Sequence, residues 1–279
     1  MIIDNISHIT KKLLNYFGVG VMRYSTQKYL IENDCKYKNL TSVISFLNYL
    51  SADSLKEAIR IVGLAKSQIH QDIFVLVLLD FKRKGFFIEF GATNGVDFSN
   101  TWLLESEFGW EGILAEPSKQ WHHELQNNRQ CHISNKCVWK SSNESIIFNE
   151  VHQSGFSTID SFSSDDHHFL SRKKGTKYSV ETVSLNDLLS SFNAPKKIDY
   201  LSIDTEGSEY DILSTLDFCT WDISIISVEH NFTYSREKIR TLLEENNYKR
   251  VLTTVSEFDD WYVKSHLINE IHKKFELKV

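Results

Sequence analysis

Short apolar runs with β propensity alternate with amphipathic segments through most of the second half of the chain. Such alternation is typical of βαβ units, in which parallel strands are joined by helices. The last two runs are joined by a short polar turn, which predicts an antiparallel pair. We predict strands near residues 86–90, 110–116, 132–139, 198–204, 223–229, 248–254 and 258–263, with helices at 98–108, 118–128, 184–189 and 236–246.

The first 84 residues have a helical pattern throughout. A continuous apolar run predicts a helix over 71–81, and the basic residues before Gly85 suit its C-terminus. Residues 2–17 form an amphipathic helix that we expect to pack on the domain, the alternatives being a membrane-surface helix or a homo-oligomer contact. We therefore divide the chain into a helical extension, 1–84, and an α/β domain, 85–279.

Residues 145–183 are too long and too polar for a simple α/β connection. Strand-like pieces at 145–148 and 178–183 enclose a stretch rich in serine and histidine, which is a candidate lid or acceptor-binding element. His152, His167 and His168 would bind a substrate there, or they are solvated loop histidines.

Composition limits the class of protein. The chain has 279 residues, of which 41% are hydrophobic and 24% charged, as in ordinary globular domains. The net charge of −6 disfavours a dedicated nucleic-acid binder. The four cysteines form no metal or disulfide pattern, and no stretch is apolar enough to span a membrane, so we expect a cytoplasmic protein.

The turn after the first strand is the most informative stretch. Glu89 ends the strand, and Gly91 and Gly95 follow with three residues between them. Glycine lets a ligand lie against the backbone, and the next helix offers free N–H groups. Glu116 and Pro117 end the second strand about 20 residues later, where an acid can accept hydrogen bonds from both ribose hydroxyls of a nucleoside. A structural turn and a solvated carboxylate are the plain alternatives.

Two further strands also end in ionisable residues. Asp204 and Glu206 follow the strand at 198–204, and Glu229 and His230 follow the strand at 223–229. Carboxylates are favourable at a helix N-terminus for structural reasons alone. The carboxyl ends of parallel strands are, however, where open α/β sheets bind ligands.

Taken together, these motifs resemble the FkbM family of S-adenosylmethionine-dependent methyltransferases between about Gln71 and Val263, most specifically at 87–95 and 198–209. The resemblance implies a Rossmann-like class I methyltransferase fold, with a seven-stranded, mostly parallel sheet whose last strand is antiparallel. It also implies O-methylation of a hydroxyl on a sugar, glycan or other small secondary-metabolite acceptor. The implied cofactor-binding residues are Glu89, Gly91, Ala92, Thr93, Gly95, Glu116, Pro117 and Val138.

Methyl transfer to a hydroxyl needs help in removing its proton. Asp204, Glu206, Glu229 and His230 are the candidate catalytic residues. His230 would act as the base, or Asp204, Glu229 and His230 would ligate a divalent metal, which for this donor set would be manganese or iron rather than magnesium. A structural role for Glu229 stays open.

Two other functions compete with methyl transfer. A nicotinamide-dependent oxidoreductase uses a similar fold, but the third glycine of the dinucleotide fingerprint is missing. A non-catalytic binding module on a methyltransferase fold is the second alternative, which the retained acids at 204 and 229 disfavour.

Overall fold

The computed structural model describes residues 41–152, 155–164 and 168–276. Its chain forms two compact units, residues 1–46 and 47–279, and the description below concerns the second. The second unit contains the helices α1 (Ala52–Ile61) and α2 (Gln71–Leu78), and the division at residues 84 and 85 stays a prediction. Residues 2–17, the predicted amphipathic helix, lie outside the described residues, and its packing or oligomer role stays a prediction.

A seven-stranded sheet forms the centre of the second unit. Its strand order is β10-β11-β9-β8-β1-β2-β3, and β11 runs antiparallel to both of its neighbours. The predicted seven-stranded sheet with an antiparallel last strand is thereby confirmed. The strands are β1 (Phe86–Phe90), β2 (Glu111–Ala115), β3 (His132–Ser134), β8 (Lys197–Ile203), β9 (Asp222–Glu229), β10 (Tyr248–Val251) and β11 (Asp259–Lys264).

Helices cover both faces of this sheet, because its central strands are apolar on both sides. On one face, α6 to α8 share an apolar core with β1, β2, β8 and β9. On the other face, α2 packs with α1, α3 and α9, and Phe74 stacks on Trp261 with ring centroids 4.6 Å apart. The further helices are α3 (Trp102–Phe108), α4 (His122–Asn128), α5 (Phe169–Arg172), α6 (Leu185–Ser191), α7 (Glu209–Leu213), α8 (Ser235–Glu245) and α9 (Ile268–Lys274).

A second, four-stranded sheet is formed mainly by the inserted segment. Its order is β4-β7-β5-β6, with β5 antiparallel to both β6 and β7. The strand predicted at 132–139 was wrong as a single element: β3 stays in the large sheet, while β4 pairs with β7. The strands of this sheet are β4 (Cys137–Trp139), β5 (Ser145–Glu150), β6 (Thr158–Ile159) and β7 (Thr176–Ser184).

The three histidines singled out in this segment differ in their surroundings. His152 is exposed, and His168 stacks on Phe156 with ring centroids 3.8 Å apart. His167 lies outside the described residues. Among the residues that the structure describes, no helix combines the length and the hydropathy that crossing a membrane requires.

Candidate functional site

A cleft opens at the carboxyl ends of the central strands. The chain leaves β1 towards β2 on one side, while β8 lies on the other side, so this is the point at which the strand order reverses and where open α/β sheets bind ligands. The cleft encloses roughly 500 Å³, including space open to solvent. Its lining includes Gly91 and Thr93 after β1, Glu116 and Pro117 after β2, Cys137 and Val138 of β4, and Asp204, Thr205 and Ser208 after β8.

Gly91 lets the loops after β1 and β8 approach each other closely. Its φ is +77°, and a Cβ at this position would stand 2.0 Å from the carbonyl oxygen of Asp204. Any side chain would therefore separate the two loops that line the cleft. The predicted cofactor residue is glycine because of this contact between loops.

Glu116 presents a buried carboxylate at the cleft. Its Oε2 accepts a hydrogen bond from the backbone N–H of Thr93 at 2.9 Å, and its Oε1 accepts one from that of Ser118 at 2.7 Å. Burial raises its pKa to about 7, while the two backbone donors oppose this shift. Each oxygen retains lone pairs that a ligand hydroxyl can use.

The wall beside Glu116 is apolar and aromatic. Val138 lies there, with the inserted segment adding Phe148 and Ile159 and the loop after β2 adding Pro117 and Trp121. An apolar wall next to one buried carboxylate suits a flat base joined to a ribose. The inserted segment lines this cleft, and its predicted role as a lid or acceptor-binding element stays a prediction.

Glu89 is also buried, but its carboxylate is occupied by the protein. It accepts hydrogen bonds from the Ser99 hydroxyl at 2.9 Å, the Asn100 backbone N–H at 2.6 Å and the Thr101 hydroxyl at 2.6 Å. The guanidinium of Arg129 lies 3.7 Å away. Glu89 is not among the residues that line the cleft. It orders residues 99–101, the part of the loop between β1 and α3 that immediately precedes the helix.

Ala92 and Gly95, two other predicted cofactor residues, also lie behind the cleft surface. Ala92 is buried. A Cβ on Gly95 would stand 2.6 Å from Cδ1 of Leu125 and 2.7 Å from Cγ of Arg129, so this glycine permits close packing against α4. Neither residue is part of the cleft lining.

Asp204 and Glu229 form a hydrogen-bonded carboxyl pair at the ends of β8 and β9. Burial raises the pKa of Asp204 to about 6, and the hydrogen bond from Glu229 opposes that rise. The pKa of Glu229 is raised well above its ordinary value, first by burial and then by the charge of Asp204. The two neighbouring carboxyls do not readily carry two negative charges at once, and of the pair it is Asp204 that lines the cleft.

Glu206 belongs to the same carboxylate cluster. One oxygen each of Asp204, Glu206 and Glu229 lie within 4.8 Å of one another, a spacing that suits a cation. However, Nη2 of Arg172 already binds Glu206 at 2.7 Å, so the protein itself neutralises one of the three carboxylates. Only Asp204 and Glu229 then remain to coordinate a divalent metal, which usually takes six or more oxygen ligands, and we derive no metal-dependent step.

His230 points into a separate network. Its Nδ1 accepts a hydrogen bond from the backbone N–H of Phe232 at 3.0 Å, which places the ring proton on Nε2. Nε2 lies 3.9 Å from Oδ1 of Asp260, which Arg236 and Arg250 also bind. Burial lowers the pKa of His230. The ring is therefore neutral, and the lone pair of its Nδ1 accepts the hydrogen bond from Phe232. The residue that lies beside Asp204 and Glu229, where His230 was predicted, is Glu206.

Several residues around the site carried no sequence signal that we used. Arg129 and Arg172 are almost fully buried and each contacts a strand-end glutamate, which a lone arginine in a polar stretch does not reveal. Asp259, at the start of β11, accepts a hydrogen bond from Gln71 at 2.8 Å. Its acid character is visible in the sequence, but its position at the same edge follows only from the antiparallel direction of β11.

Comparison with known proteins agrees with this geometry. Residues 89–250 match the family model described as the methyltransferase FkbM domain. No curated protein sequence matches the chain. Solved structures match with low identity. A precorrin-6y C5,15-methyltransferase from Geobacter metallireducens has 10% identity and a TM-score of 0.37, with 71% of this chain and 91% of that one covered.

Two further solved structures are similar. The methyltransferase FkbM from Methylobacillus flagellatus has 9% identity and a TM-score of 0.40, covering 81% of this chain and 59% of that one. A SAM-dependent methyltransferase from Aquifex aeolicus has 10% identity and a TM-score of 0.34, covering 74% and 97%.

The seven-stranded sheet and the cleft at its switch point define a protein of the class I methyltransferase type. The matched model covers more than half of the chain, and the chain belongs to the FkbM family of methyltransferases. S-adenosylmethionine is the cofactor that membership of this family implies.

Proposed function

We propose that the protein transfers the methyl group of S-adenosylmethionine to a hydroxyl of a sugar, a glycan or another small secondary-metabolite acceptor. The observation that carries this proposal is the carboxyl pair of Asp204 and Glu229. Asp204 lines the cleft and ionises near neutral pH, as a base for a hydroxyl must.

The residues around the cleft fit the cofactor. Glu116 offers the acceptor oxygens that a ribose needs, and Val138 with Phe148 offers an apolar surface for adenine. Gly91 and Thr93 supply the backbone against which the rest of the cofactor would lie. When bound, S-adenosylmethionine supplies a methyl group that is already activated, so positioning accounts for much of the acceleration.

Asp204 is the base in this proposal. Its carboxylate accepts the proton that the acceptor hydroxyl loses, while Glu229 keeps its own proton and donates a hydrogen bond to Asp204. This arrangement holds a single negative charge at the cleft surface instead of two. Glu206 takes no part as a base, because Arg172 neutralises it. His230 takes no part either, since the lone pair of its Nδ1 accepts a hydrogen bond from the backbone N–H of Phe232.

Charge also supports the choice of acceptor. The carboxylates at the carboxyl edge and the net charge of −6 repel polyanions, which favours a neutral hydroxylated acceptor over a nucleic acid. We propose a small-molecule or glycan acceptor as the partner and the cytoplasm as its location.

The test is transfer of a labelled methyl group to a panel of sugars, glycans and small phenolic or polyketide-type alcohols, with the product identified by mass spectrometry. We expect an O-methyl ether from at least one acceptor. The variant Asp204→Asn should lower kcat about 100-fold or more and bind S-adenosylhomocysteine within about threefold of the wild type. Methylation of nitrogen or carbon only, or full activity of Asp204→Asn, would reject the proposal.

A further inference from the structure

Two segments that are far apart in sequence line the same cleft. The inserted segment contributes Gly155, Ser157 and Ile159, and the loop after β8 contributes Asp204, Thr205 and Ser208. Neither segment is held in place by the main sheet alone, because both lie beyond the strand ends. What joins them therefore fixes the width of the cleft.

Arg172 links these two segments through its side chain. Its side chain is buried, and Nη2 donates to Oε2 of Glu206 at 2.7 Å. Its Nε donates to the carbonyl oxygen of Phe156 at 2.8 Å, and its own carbonyl accepts from the amide of Asn149 at 3.1 Å. One side chain thus binds both the inserted segment and the loop after β8.

The loop after β8 has a conformation that needs support. Glu206 has φ of +59°, which is uncommon for a residue with a side chain, and Gly207 has φ of +122°. The hydroxyl of Thr158 donates to the carbonyl oxygen of Glu206 at 2.8 Å, and a Cβ on Gly207 would stand 3.0 Å from Cβ of Phe162. The inserted segment therefore holds this loop in a strained form.

The charge of Glu206 makes Arg172 the critical part of this support. The Glu206 carboxylate lies within 4.8 Å of Asp204 and Glu229. Without the guanidinium, a buried negative charge would stand beside Asp204, and moving Glu206 towards solvent would relieve it. Because Asp204, Thr205 and Ser208 line the cleft, that movement would change the cofactor site.

We propose that Arg172 is a positioning residue for the S-adenosylmethionine site, acting through Glu206 to hold the loop after β8 against the inserted segment. This inference rests on the proposed function only for its cofactor. Arg172 does not line the cleft, so it acts without touching the ligand. The inserted segment is then a fixed wall of the cofactor site.

The test measures the affinity of the full chain for S-adenosylhomocysteine by calorimetry. Arg172→Met should weaken binding about tenfold or more. Breaking a buried ion pair costs more free energy than this, but only part of that cost is expected to appear as weaker ligand binding. Lys177→Met, which breaks the exposed pair with Asp160 in the same inserted segment, is the matched control and should bind within about twofold.

The double variant Arg172→Met/Glu206→Gln separates positioning from general damage. Removing both charges at similar volume should restore affinity to within about threefold of the wild type. A role confined to packing or to the Phe156 contact would give no such rescue, because the double variant lacks those interactions as well. Thermal unfolding of each variant shows whether it is folded.

The outcomes are distinct. If Arg172→Met binds as tightly as the wild type, or if the double variant binds no better than Arg172→Met, the inference is wrong. If Arg172→Met does not fold, Arg172→Gln, which also removes the charge, takes its place alone and together with Glu206→Gln, and the same two outcomes decide. A wild-type protein that binds no S-adenosylhomocysteine would instead reject the proposed cofactor chemistry.

Discussion

Glu89 and Glu116 end neighbouring parallel strands, and both are almost completely buried, yet the structure uses them differently. The carboxylate of Glu89 accepts three hydrogen bonds, from Ser99, Asn100 and Thr101, with Arg129 close by. The carboxylate of Glu116 has two backbone donors and faces the cleft.

The difference shows that position at a strand end does not by itself define a ligand-binding acid. What decides is whether the protein's own donors already occupy the carboxylate. Glu89 has two hydroxyls, a backbone N–H and a guanidinium around it, so it orders a loop. Glu116 has a pKa of about 7, which reflects burial with fewer donors. The first residue therefore stabilises the fold, and the second is available to a ligand.

The largest expected effect is on stability at Glu89. Glu89→Ala removes three charge-assisted hydrogen bonds and leaves Arg129 with one carboxylate fewer, so the free energy of unfolding should fall by at least about 3 kcal/mol. Denaturant unfolding measures this loss. Glu181→Gln, which breaks the exposed pair with Lys136, should change the free energy by less than about 0.5 kcal/mol. Equal stability of the two variants would refute the structural role of Glu89.

The next effect is on binding at Glu116. Glu116→Gln should weaken S-adenosylhomocysteine binding about tenfold or more, because a neutral amide replaces two acceptor oxygens that would bind a ribose. Its thermal stability at pH 8 reflects two opposing changes: the buried carboxylate no longer has to be ionised, but the amide nitrogen cannot accept one of the two backbone hydrogen bonds, so the loss should be smaller than that of Glu89→Ala. A variant that loses stability and retains affinity would reverse the comparison between the two acids.

A smaller effect concerns the pH dependence of turnover. Because Asp204 must be ionised to accept a proton, kcat should rise with pH through about 6 and then level off. Glu229→Gln keeps a donor beside Asp204, so the rising limb should stay near pH 6. A limb that disappears in Glu229→Gln and persists in Asp204→Asn would assign the base to Glu229.

The smallest effect is expected at Asp259, a third buried acid at this edge. Burial raises its pKa to about 8, against the hydrogen bond from Gln71. Its folded pKa exceeds its unfolded one, so stability is lost as the pH rises from about 4 to 8. Asp259→Asn should therefore raise Tm at pH 8 by about 2 °C or more, and by less at pH 5. A Tm gain that is equal at both pH values would contradict the raised pKa of Asp259.

The sequence was sufficient for the main sheet because its strands follow simple patterns. Predominantly apolar runs indicated β1, β8 and β9, and the polar turn after β10 indicated the antiparallel pair with β11. The split between β3 and β4 was missed because β4 is only three residues long and its partner, β7, follows almost 40 residues later. The hydrophobic pattern of a single short segment does not show which distant strand will pair with it.

The site was predictable to a lesser degree. Strand-end acids were identified by their place after apolar runs, and the structure brings Asp204 and Glu229 together as neighbours in register. The distinct environments of Glu89, Glu206 and His230 depend on partners distant in sequence, namely Arg129, Arg172 and Asp260. Sequence periodicity and motifs do not predict such contacts, because the tertiary fold determines which side chains are buried and which of them pair.

The most direct test of the account is a crystal structure of the full chain with S-adenosylhomocysteine. We expect the ribose hydroxyls on the Glu116 carboxylate, the adenine beside Val138, and the sulfur on the side of the cleft that Asp204 lines. A ligand bound elsewhere, or one whose ribose contacts Glu89 and leaves Glu116 unbound, would contradict the assignment of the two acids.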